Sequence, residues 1–79
     1  MTMKQIFTKE SPENLKEIRS TLLSGEPIEV VNEYETFYGV GFDRWLREGI
    51  NDIPCEIKVT SYNQLEGYPW SYEIRPKKK

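Results

Sequence analysis

The stretch from Ser11 to Gly25, SPENLKEIRSTLLSG, contains both a helix start and a helix stop, and it constrains the fold more than any other feature. Ser11 can accept a backbone N–H as the N-cap, Pro12 suits the first helical position, and Gly25 can adopt the left-handed exit. The apolar residues recur three and four apart, which predicts one stripe formed by Leu15, Ile18 and Leu22. We therefore expect a helix that buries this stripe in a core and turns its polar side to water.

The segments on either side of this helix have the period-two pattern of strands. The opening segment, MKQIFTK, predicts a short strand whose two faces are both partly covered. From Glu26 to Phe42 the side chains again alternate, and one strand of that length would be unusual. We therefore expect a hairpin with its turn at residues 32–35 and a second arm that runs through Gly39 and Gly41.

A short helix is predicted next, over the segment DRWLREG. Asp43 can cap this helix, Arg47 lies four residues on and can pair with Asp43, and Gly49 can close the end. Pro54 then ends a loop. The chain should return from this helix into a final pair of strands.

The strand CEIKVTSY, the turn NQLEG and the strand that follows predict an antiparallel pair. In that register Glu56 would face Arg75 and Lys58 would face Glu73, so opposite charges would meet on the polar side. Pro69 has no backbone N–H, which favours an edge position for the return strand.

These elements together predict one α+β domain over residues 1–76. The expected architecture is a twisted antiparallel sheet of four or five strands, with one long helix packed on one face and a short second helix at the edge, in the order β-α-β-β-α-β-β. A chain of 79 residues has enough surface for a single core only. We expect residues 77–79 to form a disordered basic tail.

The residues that usually carry catalysis are scarce. The chain has no His, so the common general base near neutral pH is missing, and Cys55 is the only cysteine. Cys55 has no partner for an internal disulfide and no imidazole to activate it, so we interpret it as a small buried hydrophobe. The segment GVGFDR lacks the third glycine of a phosphate-binding loop. We expect no enzyme activity, no cofactor and no metal site.

The charge balance limits nucleic-acid roles. Eleven Lys and Arg stand against thirteen Asp and Glu, which gives a net charge of −2 and removes the long-range field of most duplex-DNA binders.

The N-terminal segment lacks the apolar core of a signal peptide, and no run approaches the roughly 20 apolar residues that span a bilayer. We expect a cytoplasmic protein.

The C-terminal segment, YPWSYEIRPKKK, offers aromatic rings beside cationic groups, as single-strand binders use them. The alternation places the rings on one side of a strand, and rings buried beneath the long helix would be unable to stack on bases. Binding of single-stranded nucleic acid is therefore the alternative hypothesis. Its candidate residues are Trp70, Tyr72, Arg75, Lys77, Lys78 and Lys79.

The stretch from Glu26 to Phe37 is acidic and aromatic and contains no basic residue. On a strand, carboxylates two residues apart lie on one face and repeat at about 6.6 Å. This stretch can therefore present a row of negative charges to a basic groove. It can equally be a solvated turn whose charges block edge pairing. Ten Phe, Tyr and Trp are more than one thin core readily encloses, so some rings should be exposed. The candidate contact group comprises Glu33, Tyr34, Glu35 and Phe37, flanked by Arg44 and Trp45.

These observations favour a non-enzymatic binding protein that occupies a surface of a larger protein, as a small inhibitor or regulatory adaptor does. A phage or another mobile element is one expected setting for such a protein. A third hypothesis is a homodimer in which an edge strand pairs across a two-fold axis.

Overall fold

The first helix of the computed structural model, α1 (Pro12–Leu23), lies where its capping residues predict it. The Ser11 hydroxyl accepts the Asn14 backbone N–H at 3.4 Å, and Pro12 begins the helix. Gly25 has a φ of 91°, which confirms the left-handed exit. Ile18 and Leu22 are buried, and Leu15 packs against the core from a half-buried position.

The structure describes residues 3–33, 39–62 and 69–77. These residues form a four-stranded mixed sheet and two helices, which confirms the α+β class. In chain order the elements are β1 (Lys4–Thr8), α1, β2 (Ile28–Asn32), α2 (Gly39–Gly49), β3 (Cys55–Tyr62) and β4 (Pro69–Pro76). The strand order in the sheet is β1-β2-β4-β3.

The predicted hairpin arm through Gly39 and Gly41 is wrong, because these residues form the first turn of α2. The element order is therefore β-α-β-α-β-β, and α2, with 11 residues, is nearly as long as the 12-residue α1. Phe42, Leu46 and Ile50 recur every fourth residue and are all buried. Phe42 and Leu46 lie in α2 and Ile50 directly follows it, so this spacing places three large side chains in the core.

Of the two predictions for Asp43 in α2, one is wrong and the other is confirmed. Asp43 lies inside the helix, so its predicted role as N-cap is wrong. Its predicted pairing with Arg47 is confirmed, since the Arg47 Nε lies 3.0 Å from one Asp43 carboxylate oxygen. The helix ends at Gly49, as the sequence predicts. Residues 34–38, which include the second half of the predicted turn, lie outside the described residues.

The prediction of a fully antiparallel sheet is also wrong, since β1 and β2 are parallel. Helix α1 carries the chain back along the sheet between these strands, and such a crossover makes the flanking strands run in one direction. Strand β4 pairs with both β2 and β3, so the predicted edge position of the return strand is wrong as well. Pro69 is tolerated there because it is the first residue of β4 and precedes the pairing with β2, which starts at Ser71.

The predicted register of β3 and β4 is confirmed. Glu56 faces Arg75 and Lys58 faces Glu73 in an antiparallel ladder. The ladder is regular from Cys55 to Val59 and then becomes irregular. The hydroxyls of Thr60 and Ser61 both hydrogen-bond the Ser71 hydroxyl, at 2.6 and 2.8 Å, so two consecutive residues of β3 share one side.

The core lies between the two helices and one face of the sheet. The buried apolar residues of the sheet all lie on one face, and both helices pack against that face. This core comprises Ile18, Leu22, Ile28, Val30, Phe42, Leu46, Ile50, Ile53, Tyr72 and Ile74. Tyr72 is 0% exposed, which confirms that this C-terminal ring points inward.

Arg19 of α1 links the first helix to the end of α2 and the loop that follows it. Its guanidinium donates to the Gly49 carbonyl at 2.7 Å and to both Asp52 carboxylate oxygens, at 2.6 and 2.9 Å. This contact holds the pKa of Asp52 at about 2, below its ordinary 3.8. Neither helix among the described residues is long and apolar enough to cross a membrane.

Candidate functional site

The face of the sheet opposite the helices has no covering element among residues 3–33, 39–62 and 69–77. We call it the open sheet face. Strand alternation assigns it the side chains that point away from the core. The open sheet face comprises Gln5, Phe7, Glu29, Val31, Glu56, Lys58, Thr60, Ser61, Ser71, Glu73 and Arg75.

One end of the open sheet face is apolar. In the parallel ladder of β1 with β2, Phe7 lies opposite Val31. In the antiparallel ladder of β2 with β4, Ser71 lies opposite the same Val31. Phe7 is 57% exposed, whereas Val31 is half-buried and Ser71 is buried. An exposed phenylalanine therefore lies next to a half-buried valine at this end of the face.

Glu33 borders this apolar end. Its backbone N–H donates to the Thr8 carbonyl at 2.9 Å, so Glu33 extends the contact of β1 with β2 by one step. Glu33 is exposed and directly follows β2, so it lies at the end of the sheet where Phe7 and Val31 are found. Tyr34, Glu35 and Phe37, which complete the predicted acidic group, lie outside the described residues.

Charged and uncharged polar side chains occupy the rest of the open sheet face. Gln5 donates a side-chain hydrogen bond to Glu29, and Glu29 lies opposite Glu73. The Arg75 Nε donates to the Glu73 carboxylate at 2.9 Å. The face therefore combines an apolar patch at one end with a polar and charged remainder, and protein interfaces likewise combine apolar with polar surface.

The structure separates Arg44 and Trp45 from Glu33, although the sequence analysis grouped them. Both belong to α2 and so lie in the helix layer, on the other side of the sheet from Phe7. Arg44 is exposed. Trp45 is half-buried against the core, with its ring centroid 5.3 Å from that of Phe42. Trp45 thus contributes mainly to packing.

The predicted nucleic-acid site is also divided. Tyr72 is buried, stacks against Phe42 and donates its hydroxyl to Asp43 at 2.8 Å, so it is not available to stack on a base. Burial and this hydrogen bond raise the pKa of Tyr72 far above its ordinary value. Trp70 is half-buried, and Arg75 lies five residues further along β4, about 16 Å away at the rise of a strand.

The basic tail begins in an ordered position. The Lys77 backbone N–H donates to the Pro54 carbonyl at 2.9 Å, and this bond continues the contact between β4 and the start of β3. Lys78 and Lys79 lie outside the described residues. Of the residues proposed for nucleic-acid binding, only Arg75 and Lys77 are described as exposed.

Cys55 and the acidic side chains are the remaining groups that could carry catalysis or bind a metal ion. Cys55 is half-buried against the core, and burial raises the pKa of its thiol, which favours the unreactive neutral form. Within the described ranges, no group of three or more His, Cys, Asp or Glu is placed to hold a metal ion.

A groove of about 450 Å³ lies along the outer side of α1. Leu23 at its end is 67% exposed, and the Arg19 guanidinium at its wall is engaged with Asp52. The groove lies along a single helix and has few polar groups that could orient a ligand. It is a weaker candidate than the open sheet face.

Phe7 is not among the site residues that the sequence predicts. Both faces of the first strand were expected to be partly covered, but among the described residues only the Ile6 side packs against the core. The sequence does indicate an exposed ring at this position. Ile6 and Phe7 are adjacent, and adjacent strand residues point to opposite faces of the sheet, so one core cannot bury both. The expectation that some rings remain exposed is confirmed by Phe7 and Tyr62.

The chain matches no protein-family model, and no curated protein matches it significantly.

Proposed function

We propose that this chain is a non-enzymatic binding protein that occupies a surface of a larger protein, as a small inhibitor or regulatory adaptor does. The contact would form at the apolar end of the open sheet face, around Phe7, Val31 and Glu33. The observation that carries this proposal is the exposed Phe7 ring on a sheet face that no described element covers, at the end of the sheet where the exposed Glu33 follows β2.

The energetics of Phe7 favour a partner. An exposed phenylalanine contributes little to the stability of its own fold, but burial of an apolar ring contributes about 1.5–3 kcal/mol to an interface. Aromatic side chains are enriched at the centres of protein interfaces, and charged groups surround them. Phe7 with Val31 would supply such a centre.

The charges around Phe7 indicate the chemistry of the partner. Glu33 borders the apolar end, and Glu29 lies on the same strand two residues before Val31. The complementary surface is therefore an apolar pocket bordered by Lys or Arg. Charge pairs at the rim of an interface mainly raise the association rate and select the partner.

The predicted contacts that follow Glu33 in sequence remain part of this proposal. Tyr34, Glu35 and Phe37 would add acidic and aromatic groups to the same contact. Arg44 and Trp45 are no longer included, because α2 carries them in the helix layer.

The first test compares two exposed apolar side chains on opposite layers. The protein and its variants Phe7→Ser and Leu23→Ser would be immobilised and exposed to lysate of the native host, and captured proteins would be quantified by mass spectrometry. We expect a protein that the wild type and Leu23→Ser capture and that Phe7→Ser loses. Equal capture by all three would exclude the open sheet face as the contact surface.

The second test addresses the acidic part of the contact. The double substitution Glu33→Lys with Glu35→Lys should abolish capture and leave the circular dichroism spectrum unchanged. The matched control is Glu26→Lys with Glu48→Lys, which changes the net charge equally at two other exposed residues. Unchanged capture by the first pair would rule out the acidic group.

A third measurement separates this function from nucleic-acid binding. Titration with a single-stranded oligonucleotide at low salt should leave the tryptophan fluorescence unchanged, because Trp70 is half-buried and Tyr72 is buried. Quenching that recovers at high salt would instead support base stacking.

A further inference from the structure

Strand β3 is an edge of the sheet that the described residues form, since it pairs only with β4. The regular part of this edge runs from Cys55 to Val59. Pro54 precedes it, and the irregularity at Thr60 and Ser61 follows it. Ile57 lies at the midpoint of the regular part.

We propose that a second copy of this chain pairs with β3 in antiparallel orientation, with Ile57 on the two-fold axis. Such symmetric pairing must set one residue opposite its own copy, because the interface is the same patch on both subunits. With Ile57 at the axis, the regular segment from Cys55 to Val59 in one copy pairs along its full length with the same segment of the other copy. Neither Pro54 nor the irregular end then interrupts the ladder.

The charges of β3 select this register over its neighbours. With Ile57 at the axis, Glu56 of each copy lies opposite Lys58 of the other, so two opposite-charge pairs form. An axis at Glu56 would set two glutamates opposite each other, and an axis at Lys58 would do the same with two lysines. Like charges directly opposite each other on paired strands are destabilising.

The same register continues the charge pattern already present within one chain. Lys58 faces Glu73 and Glu56 faces Arg75 in the ladder of β3 with β4. Across the dimer, each row would read Glu73, Lys58, then Glu56 and Arg75 of the second copy. The charge alternates at every step of the row. Among the described residues, neither Glu56 nor Lys58 forms an ion pair in the single chain.

The core side of β3 would gain from the same pairing. Cys55, Ile57 and Val59 pack against the core but remain half-buried, as expected of an edge strand. In the dimer, Ile57 would contact its own copy, and Cys55 would lie opposite Val59 of the second copy. These contacts would cover apolar surface that one chain leaves partly exposed.

The opposite edge, β1, does not offer such a match. Lys4 is its only charged residue, and its Nζ lies 3.0 Å from a Glu17 carboxylate oxygen on α1. Antiparallel self-pairing of β1 would therefore form no charge pair. The β3 dimer does not depend on the proposed function, and it would join the two open sheet faces into one continuous surface.

The register can be tested with the native cysteine. In the substitution Val59→Cys, the new thiol would lie opposite Cys55 of the second copy, and mild oxidation should give a disulfide-linked dimer. A link within one chain is excluded, because four residues of strand separate the positions by about 13 Å, beyond the reach of a disulfide. The control Thr60→Cys should not cross-link. Absence of a Cys55 to position 59 link in the peptide map would overturn the register.

The association itself can be tested by charge reversal. Sedimentation should show a concentration-dependent dimer, since this short strand contact is small compared with stable interfaces. Glu56→Lys and Lys58→Glu should each raise the dissociation constant several-fold, because each sets like charges opposite each other. An equimolar mixture of the two variants should recover dimerisation, since a lysine again faces a glutamate at both positions. A monomer at high concentration, or a dimer insensitive to both variants, would overturn the proposal.

Discussion

The two faces of the sheet are made by the same four strands, yet they differ in almost every physical property. On the helix-covered face Ile28, Val30, Tyr72 and Ile74 are all 0% exposed. On the open sheet face the corresponding positions are Glu29, Val31, Ser71 and Glu73, with Phe7 exposed at one end. The comparison shows that the apolar core lies on one face, and we propose that the other face serves recognition.

The polar side chains on the two faces also differ in burial and in hydrogen bonding. The buried Tyr72 hydroxyl is bonded to Asp43, and Asp43 is in turn held by Arg47 at 3.0 Å. The described residues include no buried side-chain N or O atom that lacks a hydrogen-bond partner. On the open sheet face the charged side chains are exposed or half-buried, and ion pairs between solvent-accessible groups each contribute only about 0.2–1 kcal/mol. Loss of a polar group should therefore matter more on the covered face.

The largest expected contrast is between two phenylalanines on opposite sides of the sheet. Phe42→Ala should lower the free energy of unfolding by about 3–5 kcal/mol, because it opens a cavity in the core. Phe7→Ala should lower it by less than about 1 kcal/mol, because the ring is exposed. Urea denaturation monitored by circular dichroism measures both values. Similar losses for the two variants would contradict the distinction between the faces.

A smaller contrast is expected between two tyrosines. Tyr72→Phe removes the hydroxyl that donates to the Asp43 carboxylate, which should cost about 1.5–3 kcal/mol of unfolding free energy. Tyr62 is 58% exposed, so Tyr62→Phe serves as the matched control and should have almost no effect. The difference between the two variants in urea denaturation isolates the buried hydrogen bond. Equal stability would show that the Tyr72 hydroxyl contributes nothing.

The smallest effect is expected at the exposed ion pair of the helix layer. Arg19 lowers the pKa of Asp52 from 3.8 to about 2, so the pair stabilises the fold above the unfolded pKa. Asp52→Asn should therefore be slightly less stable than the wild type near pH 6, and the difference should fade as the pH drops from about 4 towards 2. Urea denaturation across this range provides the measurement. A difference that grows on acidification would contradict the assigned pair.

The sequence predicts α1 and the register of β3 with β4 because each rests on local chemistry. The caps Ser11 and Gly25 define α1, and the charges of Glu56 and Lys58 match their partners on β4. The start of α2 was missed because the segment YGVGF alternates and contains two glycines, which favoured a strand. The four-residue spacing from Phe42 to Leu46 was the competing signal, and burial in the core decided between the two.

The candidate surface was only partly predictable for a related reason. Glu33 was recognised from its acidic neighbourhood, and its parity with Val31 is visible in the sequence. Phe7 was not recognised, since Ile6 and Phe7 are adjacent and similarly apolar, and only the position of the helices decides which side is covered. The parallel pairing of β1 with β2 is likewise a property of the tertiary fold. No local pattern of charges or turn residues specifies it.

The most direct test of the account is an NMR titration of the isotopically labelled protein with the partner isolated by capture. We expect the ring signals of Phe7 and the methyl signals of Val31 to shift or broaden, and the methyl signals of Leu23 on α1 to remain unchanged. Perturbation of Leu23 with unaltered Phe7 and Val31 signals would show that the helix layer binds the partner and would contradict the assignment of the open sheet face.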